Sequence, residues 1–236
     1  MGLYILLIAL FIFALVLAIA NYAPNHFMTK YKKISNYILD SDYTAGQFAI
    51  DIVRKSQYKD IQLRKVDGNV NDCCFISKIN AICLDEETID SNSIASFAVV
   101  AHEYGHAIQH NSGDKSFKLL TALKSLSILL GRFAFPLMII GAIVMVINIE
   151  PAWIGYSIVV AGAVIFIITI IAQLITISIE YKASDIGLAV MTQSDKFGKK
   201  SIRLARKLLR SAGLTYIGAF FSSILSWTLL VPKYNK

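Results

Sequence analysis

The feature that most constrains this chain is a run of 28 residues, Ala152 to Ile179, without one charged side chain. As a helix it spans about 42 Å, about two turns more than the roughly 30 Å of hydrocarbon in a bilayer. Three further apolar runs, Leu3 to Ala20, Phe133 to Ile149 and Leu214 to Val231, come close to the roughly 20 residues a crossing helix needs. Only 17% of residues are charged, well below the soluble norm of about 25%. The expected fold is therefore a mainly α membrane protein with about four transmembrane helices and a small α+β domain. Residues 1–23 form an N-terminal anchor and 24–132 the α+β domain. Residues 133–179 form a transmembrane hairpin whose second helix, from near Gln173 onward, outruns the bilayer. Residues 180–213 return to the aqueous side, and 214–236 hold the last span and tail.

The net charge of +7 raises the question of nucleic acid, but its distribution answers otherwise. Lys30, Lys32 and Lys33 follow the first run, and Lys115, Lys118, Lys124 and Arg132 precede the second. Lys196, Lys199, Lys200, Arg203, Arg206, Lys207 and Arg210 lie between the third and fourth. Positive charge marks the cytoplasmic side, which places residues 21–132 and 180–213 in the cytoplasm and both termini outside. The basic patches suit anionic lipid rather than a nucleic-acid groove. Ala18-Ile19-Ala20 has the pattern of a signal-peptide cleavage site, but no basic segment precedes it. The first run is read as an uncleaved anchor. Cys73, Cys74 and Cys83 lack metal-ligand spacing and read as reduced thiols packed in strands.

Within the soluble part, Ser41-Asp42 can cap a helix from Tyr43 to Lys55. Ile61 to Val66, Cys73 to Ile76 and Ala81 to Leu84 read as short strands. A buried helix follows, capped by Asp90 or Ser91 and stopped at Asn111 to Gly113. It carries His102-Glu103-Tyr104-Gly105-His106. Residues i and i+4 lie about 40° apart on a helix, so both imidazoles can reach one metal ion. Glu103 is then placed to deprotonate a water at that ion. The plainer alternative is a set of satisfied core polar residues.

A catalytic zinc site needs a third protein ligand. His110 is about 12 Å along the axis from His102, too far to share the ion on one straight helix. Glu180, on the part of the long helix that outruns the bilayer, is the stronger candidate; otherwise it merely ends the membrane segment. Extended substrates of zinc proteases pair with a strand edge beside the metal helix. Asn80, Ala81, Ile82 and Cys83 are the expected edge, with an ordinary core strand an equal alternative. Pro136 is expected to bend the second span, and Gly141, Gly155 and Gly162 can permit close helix approach.

AHEYGHAIQH, together with EYKASDIG further on, resembles the YugP-type neutral zinc metallopeptidases of bacterial membranes. The likeness extends to YTAGQFAIDIVRK and IQLRKVDGNVND and to the order of membrane segments, and so covers most of the chain. More distantly the sequence is similar to the HtpX and CAAX-prenyl protease membrane gluzincins. The resemblance implies a zincin-like fold, one zinc ion on His102, His106 and Glu180, Glu103 as catalytic base, and a multi-pass place in the bacterial plasma membrane. Two departures stand out. After Asp72 the family has an aromatic- and proline-containing turn, where this chain has Cys73-Cys74-Phe75-Ile76. The HtpX-like relatives carry an aspartate four residues after the ligand glutamate, where this chain has Ser184, with Asp185 one residue later; either can orient a ligand histidine.

The expected reaction is hydrolysis of peptide bonds in membrane or membrane-proximal proteins on the cytoplasmic side. A role in quality control is implied by resemblance alone. Tyr104, Tyr181 and His110 are candidate oxyanion donors. Two other readings are weighed. A non-catalytic membrane scaffold with a structural metal would have four protein ligands and no base. A transporter would carry ionisable groups in its spans, and none lies from Phe133 to Ile147 or from Ala152 to Ile171.

Overall fold

The structure, a computed structural model, describes residues 25–147 and 153–225, with 14, 18, 21, 22 and 151. The first apolar run, and with it the reading of an uncleaved anchor, lies outside these residues apart from single positions. The end of the fourth run beyond residue 225 lies outside them too. The chain is mainly helical, with one small mixed sheet. It divides into two compact units, one of Asn25–Lys118 and Ser178–Leu214, the other of Leu119–Ile177 and the two end segments.

In the first unit, helical residues 25–35 lead to α1 (Ala45–Lys55). Thr44, rather than Ser41 or Asp42, caps α1. Its hydroxyl accepts from the Gln47 N–H while the Gln47 side chain accepts from the Thr44 N–H, a reciprocal capping box. Phe48, Ala49 and Ile52 form its buried side. Three strands follow: β1 (Gln62–Val66), β2 (Cys74–Ile76) and β3 (Ala81–Asp85). Their order is β1-β3-β2. β3 runs parallel to β1, with Gln62 opposite Ala81, and antiparallel to β2, with Cys74 opposite Cys83.

This topology corrects the expected substrate edge. Ala81, Ile82 and Cys83 lie on the central strand, hydrogen-bonded on both sides and buried throughout. Asn80 lies in the turn before it, at a φ of 48°, a left-handed conformation that asparagine tolerates. The reason is legible: Ala81 to Leu84 is an unbroken apolar run, as a strand covered on both faces requires. Among the described residues, β2 is the strand at the sheet edge beside the helix of the histidine motif.

After the short helix α2 (Glu86–Asp90) comes α3 (Ile94–Asn111), the helix of the histidine motif. Ser93 caps it, accepting from the Ser96 N–H at 3.1 Å, in place of Asp90 or Ser91. Phe97 of α3, Phe48 of α1 and Phe197 meet pairwise with ring centroids 4.9 to 5.7 Å apart. Such aromatic pairs contribute about 0.5–1.5 kcal/mol each beyond area burial and hold α3 against α1. At the far end, Asn80 and Asn111 exchange side-chain amide bonds of 3.1 and 2.8 Å, tying the strand hairpin to the last residue of α3.

α4 (Lys115–Val146), α5 (Trp153–Gln193) and α6 (Lys199–Leu225) complete the chain. In the second unit α4 and α5 meet at the glycines the sequence singles out. A Cβ on Gly141 would lie 2.7 Å from the Val159 nitrogen, and one on Gly162 would lie 2.7 Å from the Ala134 carbonyl oxygen. Only glycine admits that backbone approach. Among the described residues α5 is the one helix long and apolar enough to cross a membrane, and Phe133–Val146 is a shorter apolar stretch. Ile167, Ile171 and Leu174 of α5 are exposed, an apolar surface of the kind lipid covers.

Candidate metal centre

α5 is one unbroken helix through Glu180, as its 28-residue apolar run implied. Its C-terminal part, from Ser178, belongs to the same compact unit as α3. The two helices touch backbone to backbone there. A Cβ on Gly105 would fall 2.1 Å from the Ala183 carbonyl oxygen, and one on Gly187 would fall 2.4 Å from the Ala101 carbonyl oxygen. This close approach, made by one glycine from each helix, brings the Glu180 side chain onto the histidine pair.

His102 Nε2 lies 3.1 Å, and His106 Nε2 3.3 Å, from a single oxygen, Oε2 of Glu180. The donor atoms of the three residues lie within 4.8 Å of one another. Both imidazoles are fixed from behind: His102 Nδ1 pairs with Ser184 Oγ at 3.1 Å, and His106 Nδ1 pairs with Gln109 Oε1 at 3.0 Å. Glu103, also buried, accepts the Phe75 backbone N–H of β2 at 2.7 Å.

The electrostatics follow from this crowding. Burial works against charge on Glu180, but the two imidazoles bonded to it hold its carboxyl well below the usual range. His106 is buried too, and Glu180 nevertheless raises it above an ordinary histidine. Glu103 is pushed up, chiefly by burial and further by Glu180, against the pull of His102 and His106.

These residues fit a metal ion. Gln109 Nε2 donates to the Ile179 carbonyl at 3.0 Å, so its Oε1 must face His106, and Nδ1 must carry the hydrogen between them. A neutral His106 then turns the Nε2 lone pair toward a carboxylate oxygen 3.3 Å away. Two such acceptors must share a cation, either the proton that raises His106 or a metal ion in its place. Two imidazole nitrogens and one carboxylate oxygen are the donor set of catalytic zinc sites, which leave the fourth position open.

A sequence profile of the family described as "Putative neutral zinc metallopeptidase" matches residues 6–233. The chain belongs to that family. The chain is also 25% identical over 218 residues to the "Putative membrane protease YugP" of Bacillus subtilis (strain 168), a match covering 91% of this chain and 92% of that one. No solved structure matches it. The YugP-type resemblance carried by the two motifs is thus borne out.

The other expected site residues are distributed unequally. Of Ser184 and Asp185, it is Ser184 that bonds His102; Asp185 is exposed beside Tyr181, Arg206 and Arg210 in a cleft of about 280 Å³. Tyr104 is buried in the hydrophobic core and lines a different cleft with Tyr43, Phe48 and Asp51. Tyr181 packs against Gly213, where a Cβ would lie 2.8 Å from its ring. His110 stays with the site's surroundings: its ring lies 5.5 Å from Phe75 and 6.0 Å from Phe117, whose ring is 5.8 Å from His106. Four contributors escaped sequence reasoning: Gln109, Phe75, Gly105 and Gly187. Gln109 had a signal, being a polar residue one turn past His106 on a buried helix face. Gly105 and Gly187 had one as well, small residues inside helices that cross.

Proposed function

We propose that the chain is an integral-membrane zinc endopeptidase that hydrolyses membrane or membrane-proximal proteins on the cytoplasmic side. The observation that carries this is the meeting of His102, His106 and Glu180 with Glu103, a buried carboxyl, beside them. His102, His106 and Glu180 would hold one zinc ion. Bound there, zinc supplies Lewis acidity toward a water and the scissile carbonyl.

The chain's own groups supply the rest. Glu103 takes the proton of the attacking water and returns it to the leaving amine. The Phe75 N–H holds one Glu103 oxygen and leaves the other for the water. The outward edge of β2 is where an extended substrate would pair, with the Phe75 carbonyl as acceptor, since N–H and C=O of one residue point the same way in an antiparallel strand. His110, held beside Phe75 and Phe117, is the best placed of the three oxyanion candidates.

The membrane setting rests on the apolar runs and the placement of the cations. They support a multi-pass protein of the bacterial plasma membrane with about four spans, both termini outside and a zincin-like cytoplasmic domain. Glu180 sits on the same helix as the longest apolar run, so substrates close to the bilayer are favoured. Membrane-protein quality control is the cellular role that the family resemblance alone suggests. A non-catalytic scaffold would have no use for a buried Glu103 beside the ligands.

Glu103→Gln separates these readings. The variant should keep the zinc content of wild type and lose about 10²–10⁴-fold in cleavage. Wild-type turnover by Glu103→Gln would remove the mechanism. Faster cleavage of a membrane-tethered substrate than of its soluble form is expected, and equal rates would remove the membrane-proximal preference.

A further inference from the structure

We propose that Gln109 is a positioning residue of the metal centre, which dictates the nitrogen His106 offers to the ion and locks that ring to the helix bearing Glu180. The proposal deepens the zinc reading above and rests on it. A carbonyl oxygen can only accept, so the Ile179 carbonyl fixes which end of the Gln109 amide faces it, at 3.0 Å. The other end, Oε1, can then only accept from His106 Nδ1, at 3.0 Å. His106 is left with Nε2 as its free donor atom, aimed at Glu180. Gln109 lies one turn from His106 on the same face of α3, and Ile179 directly precedes Glu180. One amide therefore joins the second ligand to the backbone that carries the third.

Gln109 is 1% exposed, so water cannot stand in for either bond, and an unmet buried polar group is costly. His102 is served differently. Ser184 Oγ can give or take a proton at 3.1 Å from Nδ1, so it orients that ring without dictating its tautomer. The two ligand histidines are thus unequally preset, and His106 is the one whose state is decided before a metal arrives.

The test uses the full-length protein in detergent and measures zinc affinity by competition with a chelator. Gln109→Met, similar in length but unable to accept, should lose about 10–100-fold in zinc affinity. Gln109→Glu, which still accepts from Nδ1, should recover most of that loss. A space-filling role gives the reverse order, because Met fills the site without charge while Glu sets a buried carboxylate against the Ile179 carbonyl. Should Gln109→Met not keep the wild-type helical content, Gln109→Asn, one methylene too short to reach both partners, takes its place with the same expected loss. Wild-type affinity in the Met or Asn variant, or a Glu variant no better than it, overturns the proposal. Failure of the zinc reading looks different: wild type would bind no zinc, or His106→Ala would bind it as well as wild type.

Discussion

Gly105→Ala adds a single methyl group to the histidine motif, and the structure fixes what it meets. The new Cβ would sit 2.1 Å from the Ala183 carbonyl oxygen, 2.8 Å from its carbon and 3.0 Å from its Cα. All three atoms are backbone, so no side-chain rotation relieves the clash. Ordinary contact begins at 3.4 Å, and α3 and α5 must part by about 1.3 Å at this point to reach it. Zinc–nitrogen and zinc–oxygen bonds of about 2.0–2.2 Å hold within about 0.2 Å. Gly105 adjoins His106 and Ala183 lies three residues from Glu180, so most of that separation falls between the ligands. Zinc affinity should drop on the order of 100-fold or more, the scale at which a displacement of about 1 Å disables a site. Helix propensity acts the other way, favouring alanine by about 1 kcal/mol, so lost affinity would not reflect a weakened α3. The assay is zinc retained per protein against a graded chelator, with helical content followed by circular dichroism. Gly187→Ala should behave alike, its Cβ falling 2.4 Å from the Ala101 carbonyl oxygen. Gly198→Ala, whose Cβ meets nothing within 4 Å, should bind as wild type does. Undiminished zinc binding by Gly105→Ala would refute the claim that glycine-mediated helix contact builds the site.

Two further outcomes test the surrounding fold. The Cys73 thiol, pushed up to about 12 by burial and by the Asp85 carboxylate to which it donates at 2.9 Å, stays protonated in the folded state long after it ionises unfolded. Its contribution to stability is complete below its unfolded value near 9 and is lost as pH rises toward 12. Thermal unfolding should therefore show a falling midpoint above that lower value, with a shallower fall in Cys73→Ser; equal slopes would count against the buried thiol. Thr44→Ala removes the capping box of α1 and should cost about 1 kcal/mol in denaturant unfolding while leaving zinc affinity unchanged. A concomitant loss of zinc would mean that α1 and the metal centre are coupled more tightly than their contacts imply.

Much of the site was legible because its chemistry is local. His102, Glu103 and His106 announce themselves by helical spacing, and a 28-residue uncharged run makes a helix about two turns longer than the hydrocarbon thickness, with Glu180 at its end. The strands were legible as segments but not as a sheet. Strand order depends on contacts between distant residues, and the unbroken apolar run of Ala81 to Leu84 marked a central strand rather than an edge. Gln109 was harder, since its partners, His106 and the Ile179 carbonyl, are separated by 73 residues of chain and meet only after α3 and α5 cross. Helix caps failed by a few residues for a simpler reason: Ser41, Thr44, Ser91 and Ser93 are all competent caps, and packing of the helix decides which is used.

The most direct measurement is zinc-edge X-ray absorption on the full-length protein. A shell of nitrogen and oxygen at about 2.0–2.2 Å with the scattering of two imidazole rings is expected, reduced to one ring by His106→Ala and short of an oxygen in Glu180→Ala. A sulfur shell near about 2.3 Å, placing a cysteine on the metal, or a shell unaltered by both substitutions, would contradict it.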